Sequence, residues 1–176
     1  MAELHPDNPY APERFPKPET RVEFPPEAKK KFDWILTRYP NKESALLPTL
    51  HLAQEVWGWI SPEAVRYIGS LLDLSPATVF GVVSFYNMYN QKPVGKYHLQ
   101  VCTNLSCMVN RAYDIVDHLC ERLKVNPGQT TSDGQYTVSE VECLGSCGTA
   151  PVVQVNNDYH ENMTVEKMDS LLGRLR

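Results

Sequence analysis

Four cysteines in two close pairs are the residues of this chain with the clearest chemistry. Four residues separate Cys102 from Cys107, three separate Cys143 from Cys147, and 35 lie between the pairs. Each pair sits where an extended, β-rich run ends and a turn begins. That placement can bring two short loops together at one edge of a sheet. Four thiolates meeting there form a soft, anionic cage suited to iron and sulfide. A cage of that kind moves electrons and needs no substrate pocket of its own.

The reading has rivals. Structural zinc sites usually place about two residues between paired ligands, whereas the spacings here are four and three. A thioredoxin-like redox pair needs Cys-x-x-Cys, which the chain lacks. Plant-type ferredoxins share the opening Cys-x4-Cys but continue with Cys-x2-Cys, which is also missing. A disulfide framework belongs to exported proteins, and the N-terminus, Met-Ala-Glu-Leu-His-Pro, reads as no secretory signal. The fifth cysteine, Cys120, falls beside Leu119 on the apolar side of a helical pattern and reads as a small buried hydrophobe. The five histidines are scattered, with no ligand pair among them.

The elements that must position the cysteines follow from periodicity. Tyr97, Leu99 and Val101 alternate with His98 and Gln100 and end at Cys102, which is a strand. Residues 106–124 return to a helical period, with Ala112, Val116, Leu119 and Leu123 on one face. Cys107 falls at the start of that helix, where unpaired N–H groups favour negative charge. Turn signals at Pro127-Gly128 and Asp133-Gly134 precede a second extended run, Tyr136, Val138 and Val141, which ends at Cys143. Gly145 and Gly148 let the backbone pass close to sulfur. Val152, Val153 and Val155 predict a third strand. Asn156-Asn157-Asp158 predicts a hairpin turn and 158–163 the returning strand. Thr164 caps a last helix whose Val165, Met168, Leu171 and Leu172 face inward. The order β-α-β-β-β-α makes a small α/β sandwich of thioredoxin type over 91–176, its first two strands parallel.

Before it, residues 27–90 read as a bundle of four helices. Ala28, Phe32, Ile35 and Tyr39 mark the first stripe; Leu46, Leu50, Ala53 and Trp57 mark the second, which Gly58 ends. Ser61-Pro62-Glu63 and Ser75-Pro76 are helix starts. Phe85, Tyr86, Met88 and Tyr89 form an apolar cluster that either packs between the halves or docks a partner, and Trp57 and Trp59 share that ambiguity. Residues 1–26 hold seven of the fourteen prolines and read as an extended arm. The fold class expected is α+β, a helical bundle followed by a thioredoxin-like domain.

At 42% hydrophobic residues, 176 residues can bury a real core. A net charge of −4 gives no nucleic-acid footprint, and no run of 18 apolar residues predicts a membrane span. No Gly-x-Gly-x-x-Gly and no P-loop occur, so no nucleotide site is legible, and if the chain belongs to an oxidoreductase another chain must bind the substrate and flavin.

These motifs together resemble a known family. The two cysteine pairs, with Val101-Cys102-Thr103 and Glu142-Cys143-Leu144-Gly145-Ser146-Cys147 through Ala150-Pro151-Val152, are similar to the cluster loops of the small [2Fe–2S] subunit of respiratory complex I, the 24 kDa-type thioredoxin-like ferredoxin. Gly81-Val82-Val83-Ser84-Phe85-Tyr86 and Gly58-Trp59-Ile60-Ser61-Pro62-Glu63 resemble its helical segments, so the likeness spans about 27–176. The resemblance implies that Cys102, Cys107, Cys143 and Cys147 ligate one [2Fe–2S] cluster. It implies a partner flavoprotein subunit that holds FMN and oxidises NADH, with further iron–sulfur subunits in the peripheral arm of an NADH:quinone oxidoreductase on the cytoplasmic side of the inner membrane. Related subunits serve NAD-linked hydrogenases and formate dehydrogenases. A free-standing ferredoxin and a zinc-stapled module are the readings outside that class.

Overall fold

The computed structural model describes residues 22–175, and the expected arm up to residue 21 lies outside the described residues. The chain divides into two compact units, 1–93 and 94–176.

In the first unit, four helices form where the apolar stripes and start signals lie: α1 (Pro26–Leu36), α2 (Leu46–Trp57), α3 (Pro62–Leu72) and α4 (Pro76–Phe85). Ser61 accepts from the Ala64 N–H and Ser75 from the Thr78 N–H, each satisfying an otherwise unpaired donor of a helix with proline at its first position. Gly58 closes α2 in the left-handed conformation, at φ 79°. Phe32, Leu50, Ile68, Leu72, Val79 and Val83 form the centre of this core.

One expectation fails at its edges, and the described end of the expected arm packs against the bundle. Tyr39 is not part of the first stripe: α1 ends at Leu36, and Tyr39 is exposed. Residues 22–25 are extended but do not stand free of the bundle. Phe24 is buried, stacked on Trp57 with ring centroids 5.0 Å apart, and its N–H donates to the Tyr67 hydroxyl at 3.1 Å. A buried phenyl ring stabilises by about 1.5–3 kcal/mol, enough to hold a short proline-flanked segment in place. Trp57 is thereby a packing residue. Tyr89 is another, being buried with its hydroxyl donating to the Leu47 carbonyl at 2.9 Å.

The second unit holds β1 (Tyr97–Cys102), α5 (Leu105–Val109), α6 (Ala112–Leu123), β2 (Tyr136–Val141), β3 (Val153–Val155), β4 (Asp158–His160) and α7 (Val165–Arg174). The strands lie in the order β2-β1-β3-β4. β1 and β2 are parallel, while β3 runs antiparallel to both β1 and β4. Leu99, Val101, Val138 and Val153 share one core with Ile115, Leu119, Met168 and Leu172 from α6 and α7. The result is the expected α+β arrangement, with helices ahead of a mixed sheet and a helical layer packed on that sheet.

The helix expected over 106–124 is broken in two. Arg111 adopts φ 68°, and the Asn110 side-chain amide donates to the Ser106 carbonyl at 2.7 Å. The apolar stripe continues across this corner, so periodicity alone does not reveal it. The returning strand is also shorter than 158–163. After His160 the chain turns through Asn162 at φ 50°, and the Asn162 N–H pairs with the Thr149 carbonyl instead of continuing the hairpin.

Candidate metal centre

Strand register assembles the site. Cys102, the last residue of β1, pairs with Val141, the last residue of β2. Because the two strands are parallel, both segments leave the sheet at the same edge, and Cys143 follows two residues beyond Val141. The Thr103 N–H donates to the Val141 carbonyl at 3.1 Å, extending the pairing one step past Cys102. On the other side, the Cys102 N–H donates to the Val152 carbonyl at 3.1 Å, so the end of β1 is tied to both segments that flank the Cys143–Cys147 loop.

Cys107 is the third residue of α5, whose first turn Asn104 caps by accepting from the Leu105 N–H at 2.7 Å. That helix is five residues long, so its macrodipole is weaker than a helix over 106–124 implies. Burial accounts better for the site's character. Cys102 and Cys107 are buried, at 4% and 3% exposure, whereas Cys143 and Cys147 are exposed. Burial pushes the Cys107 thiol up to about 11, with neighbouring Cys102 and Cys147 adding to the rise while a hydrogen bond from the Val152 backbone opposes it. Cys102 and Cys147 are both near enough to Cys107 to bear on it electrostatically.

In the second loop the Gly145 N–H donates to Cys143 Sγ at 3.3 Å, with Gly145 at φ 73°. An L-residue is strained in that conformation, so glycine is favoured there. Gly148 differs in lacking a positive φ, and a Cβ built on it meets nothing within 4 Å. Cys120 is half-buried against the core of this unit, its thiol pushed up by burial and by Asp117 and Glu140.

Four thiols in two pairs lie on loops that leave one sheet edge, two of them buried and two exposed. Four thiols are the donor chemistry a dinuclear iron–sulfur cluster would need. Among the described residues, no three His, Cys, Asp or Glu side chains gather closely enough to hold a metal ion.

The sequence profile of the thioredoxin-like [2Fe–2S] ferredoxins matches residues 32–176. The chain belongs to this family. The cofactor of the thioredoxin-like ferredoxin is therefore a [2Fe–2S] cluster, as the resemblance implied. NADH-quinone oxidoreductase subunit 2 of Thermus thermophilus is 43% identical over 159 residues, covering 90% of this chain and 81% of the relative. An NADH-quinone oxidoreductase subunit of Rickettsia bellii is 41% identical over 145 residues, covering 81% of this chain and 87% of the relative. An NAD+-reducing [NiFe]-hydrogenase in the air-oxidised state shares the fold, with a TM-score of 0.65 at 23% identity over 74% of this chain and 22% of the hydrogenase chain.

Sequence spacing misses the residues that hold the second loop. The Tyr159 hydroxyl donates to the Leu144 carbonyl at 3.0 Å, and the Glu161 carboxylate accepts from Ser146 and, at 2.7 Å, from Thr149. Glu161 lies fifteen positions beyond Ser146, a distance at which no local pattern signals contact.

Proposed function

We propose that the chain is the electron-transfer subunit of an NADH:quinone oxidoreductase, and that Cys102, Cys107, Cys143 and Cys147 hold its single [2Fe–2S] cluster. The observation that carries the ligand assignment is the parallel register of Cys102 with Val141, which delivers both cysteine pairs to one edge of one sheet. Held by those four thiolates, a [2Fe–2S] cluster would supply one-electron transfer. The chain supplies what that exchange requires. Buried Cys102 and Cys107 keep one side of the site dry, the Gly145 N–H is directed at Cys143 sulfur, and exposed Cys143 and Cys147 leave the other side open. Hydrogen bonds to ligand sulfur and differing solvent access are the protein's means of setting a cluster's potential.

The electron partner in this reading is the FMN of an NADH-binding flavoprotein subunit, which carries the substrate site, with further iron–sulfur subunits beyond it. The place of the chain is the peripheral arm, on the cytoplasmic side of the membrane. Among the described residues, no single helix is long and apolar enough to cross a membrane. The docking surface we assign is the exposed side of the α4 exit, where Phe85 is 78% and Met88 39% exposed. Likeness to the hydrogenase is one of fold and leaves this assignment unchanged.

The test is anaerobic purification, with iron and zinc quantified and visible and EPR spectra recorded before and after dithionite. The reading expects a red-brown protein with about two irons per chain and a rhombic signal on reduction. A colourless protein that retains one zinc refutes electron transfer.

A further inference from the structure

The Cys143–Cys147 loop is exposed and short of secondary structure of its own, a single 3-10 turn at Cys147–Thr149 apart. Loops of that kind open readily unless something holds them. Here the chain leaving β4 does so at successive points. Tyr159 Oη donates to the Leu144 carbonyl at 3.0 Å. Glu161 Oε1 accepts from Ser146 Oγ and from Thr149 Oγ1, and those two oxygens lie 2.7 Å apart. The Asn162 N–H donates to the Thr149 carbonyl at 2.7 Å, and the Met163 N–H to the Pro151 carbonyl at 2.9 Å. Lys167 Nζ donates to the Asn162 carbonyl at 2.7 Å, which anchors the segment to α7. One strand exit thus grips the loop from Leu144 to Pro151.

We propose that residues 159–163 are a clamp that fixes the second cysteine loop, with Tyr159 and Glu161 as positioning residues for Cys143 and Cys147. The inference rests on the assignment of those cysteines as ligands. Tyr159 and Glu161 touch Leu144, Ser146 and Thr149 and act on the sulfurs only through them. Glu161 does two separable things. Its two accepted hydrogen bonds set the shape of the loop, and its carboxylate places a fixed negative charge one residue from Cys147 through Ser146. Its carboxyl is lowered from its ordinary value because Ser146 and then Thr149 donate to it. A fixed negative charge beside a cluster disfavours the added electron. Outer partners of metal ligands typically change metal affinity by about 10–100-fold when removed.

The experiment compares the cluster-loaded protein with Glu161→Ala, Glu161→Gln and Tyr159→Phe. Three readouts are taken: amide hydrogen exchange over residues 144–150, iron release to a chelator, and the midpoint potential by EPR-monitored titration. The clamp predicts faster exchange over 144–150 and iron release faster by about tenfold in Glu161→Ala, with a smaller effect of the same sign in Tyr159→Phe. Glu161→Gln keeps two acceptor bonds without the charge. It is expected to restore most of the exchange protection while shifting the redox equilibrium severalfold toward the reduced form. Wild-type exchange and iron release in Glu161→Ala would overturn the clamp, and a Glu161→Gln potential equal to that of the wild type would overturn the role of its charge. Should wild-type protein hold no cluster, the ligand assignment fails, and exchange over 144–150 still judges the clamp by itself.

Discussion

Replacing Gly95 by alanine isolates the contact that sets the start of the β1–β2 pairing. A Cβ at Gly95 stands 2.9 Å from both the carbonyl carbon and the nitrogen of Tyr136, and 3.0 Å from the carbonyl carbon of Gln135. Ordinary contacts of this type lie at about 3.5–4.0 Å, so the overlap is about 0.5–1 Å at three atoms together. All three are backbone, and no rotamer change relieves them. The Gly95 N–H also donates to Thr137 Oγ1 at 2.7 Å, which blocks retreat of the chain. Overpacking of this kind costs about 1–3 kcal/mol, and alanine's lower unfolded-state entropy returns about 0.4–1 kcal/mol. The net loss is about 1–2 kcal/mol, about a 5–30-fold change in the opening equilibrium. Hydrogen exchange should show that loss at the amides of Tyr97–Cys102 and Tyr136–Val141. Gly81 in α4 is the control, since a Cβ there meets nothing within 4 Å. Gly81→Ala gains about 1 kcal/mol of helix propensity and raises the thermal midpoint. Unchanged or increased protection in Gly95→Ala would refute the reasoning.

Three further outcomes are expected. Gly145→Ala forces an L-residue to φ 73° at a cost of about 1–2 kcal/mol, and a calorimetric scan should show its midpoint lowered by about 4 °C or more, while Gly148→Ala leaves it unchanged. Burial, with Tyr86 adding to it, pushes the Tyr89 hydroxyl up to about 12. The unfolded chain ionises this tyrosine near its ordinary value of 10.0 and the folded one only near 12. Its stabilisation is therefore complete below pH 10 and lost as pH rises toward 12, and Tyr89→Phe should flatten that alkaline loss in urea unfolding. Phe85→Ala, at an exposed position, should weaken co-purification with the flavoprotein subunit without changing the circular dichroism spectrum; retained co-purification would count against the assigned docking surface.

The sequence was most legible where local chemistry and period agreed. The alternation through Leu99 and Val101 ends at Cys102 in the structure as in the pattern, and Ser61-Pro62 and Ser75-Pro76 are the helix starts they resemble. The end of β1 was legible because strand endings are local, whereas β2 stops at Val141, two residues short of the expected end at Cys143; parallel pairing brings the two endings to one edge. Features governed by distant partners were not legible. Phe24 is held by Trp57 and Tyr67, 33 and 43 positions away in the chain. The corner at Arg111 leaves the apolar stripe intact, and β4 stops where Asn162 finds the Thr149 carbonyl. Glu161 looks like any exposed acid until the hairpin brings it to Ser146 and Thr149.

The most direct test of the account is iron content and EPR of five single cysteine-to-serine variants, purified anaerobically. Serine at 102, 107, 143 or 147 should each abolish the cluster or alter its reduced spectrum, while Cys120→Ser keeps about two irons per chain and the wild-type signal. An unaltered spectrum in any of the four, or loss of the cluster in Cys120→Ser, would contradict the assignment.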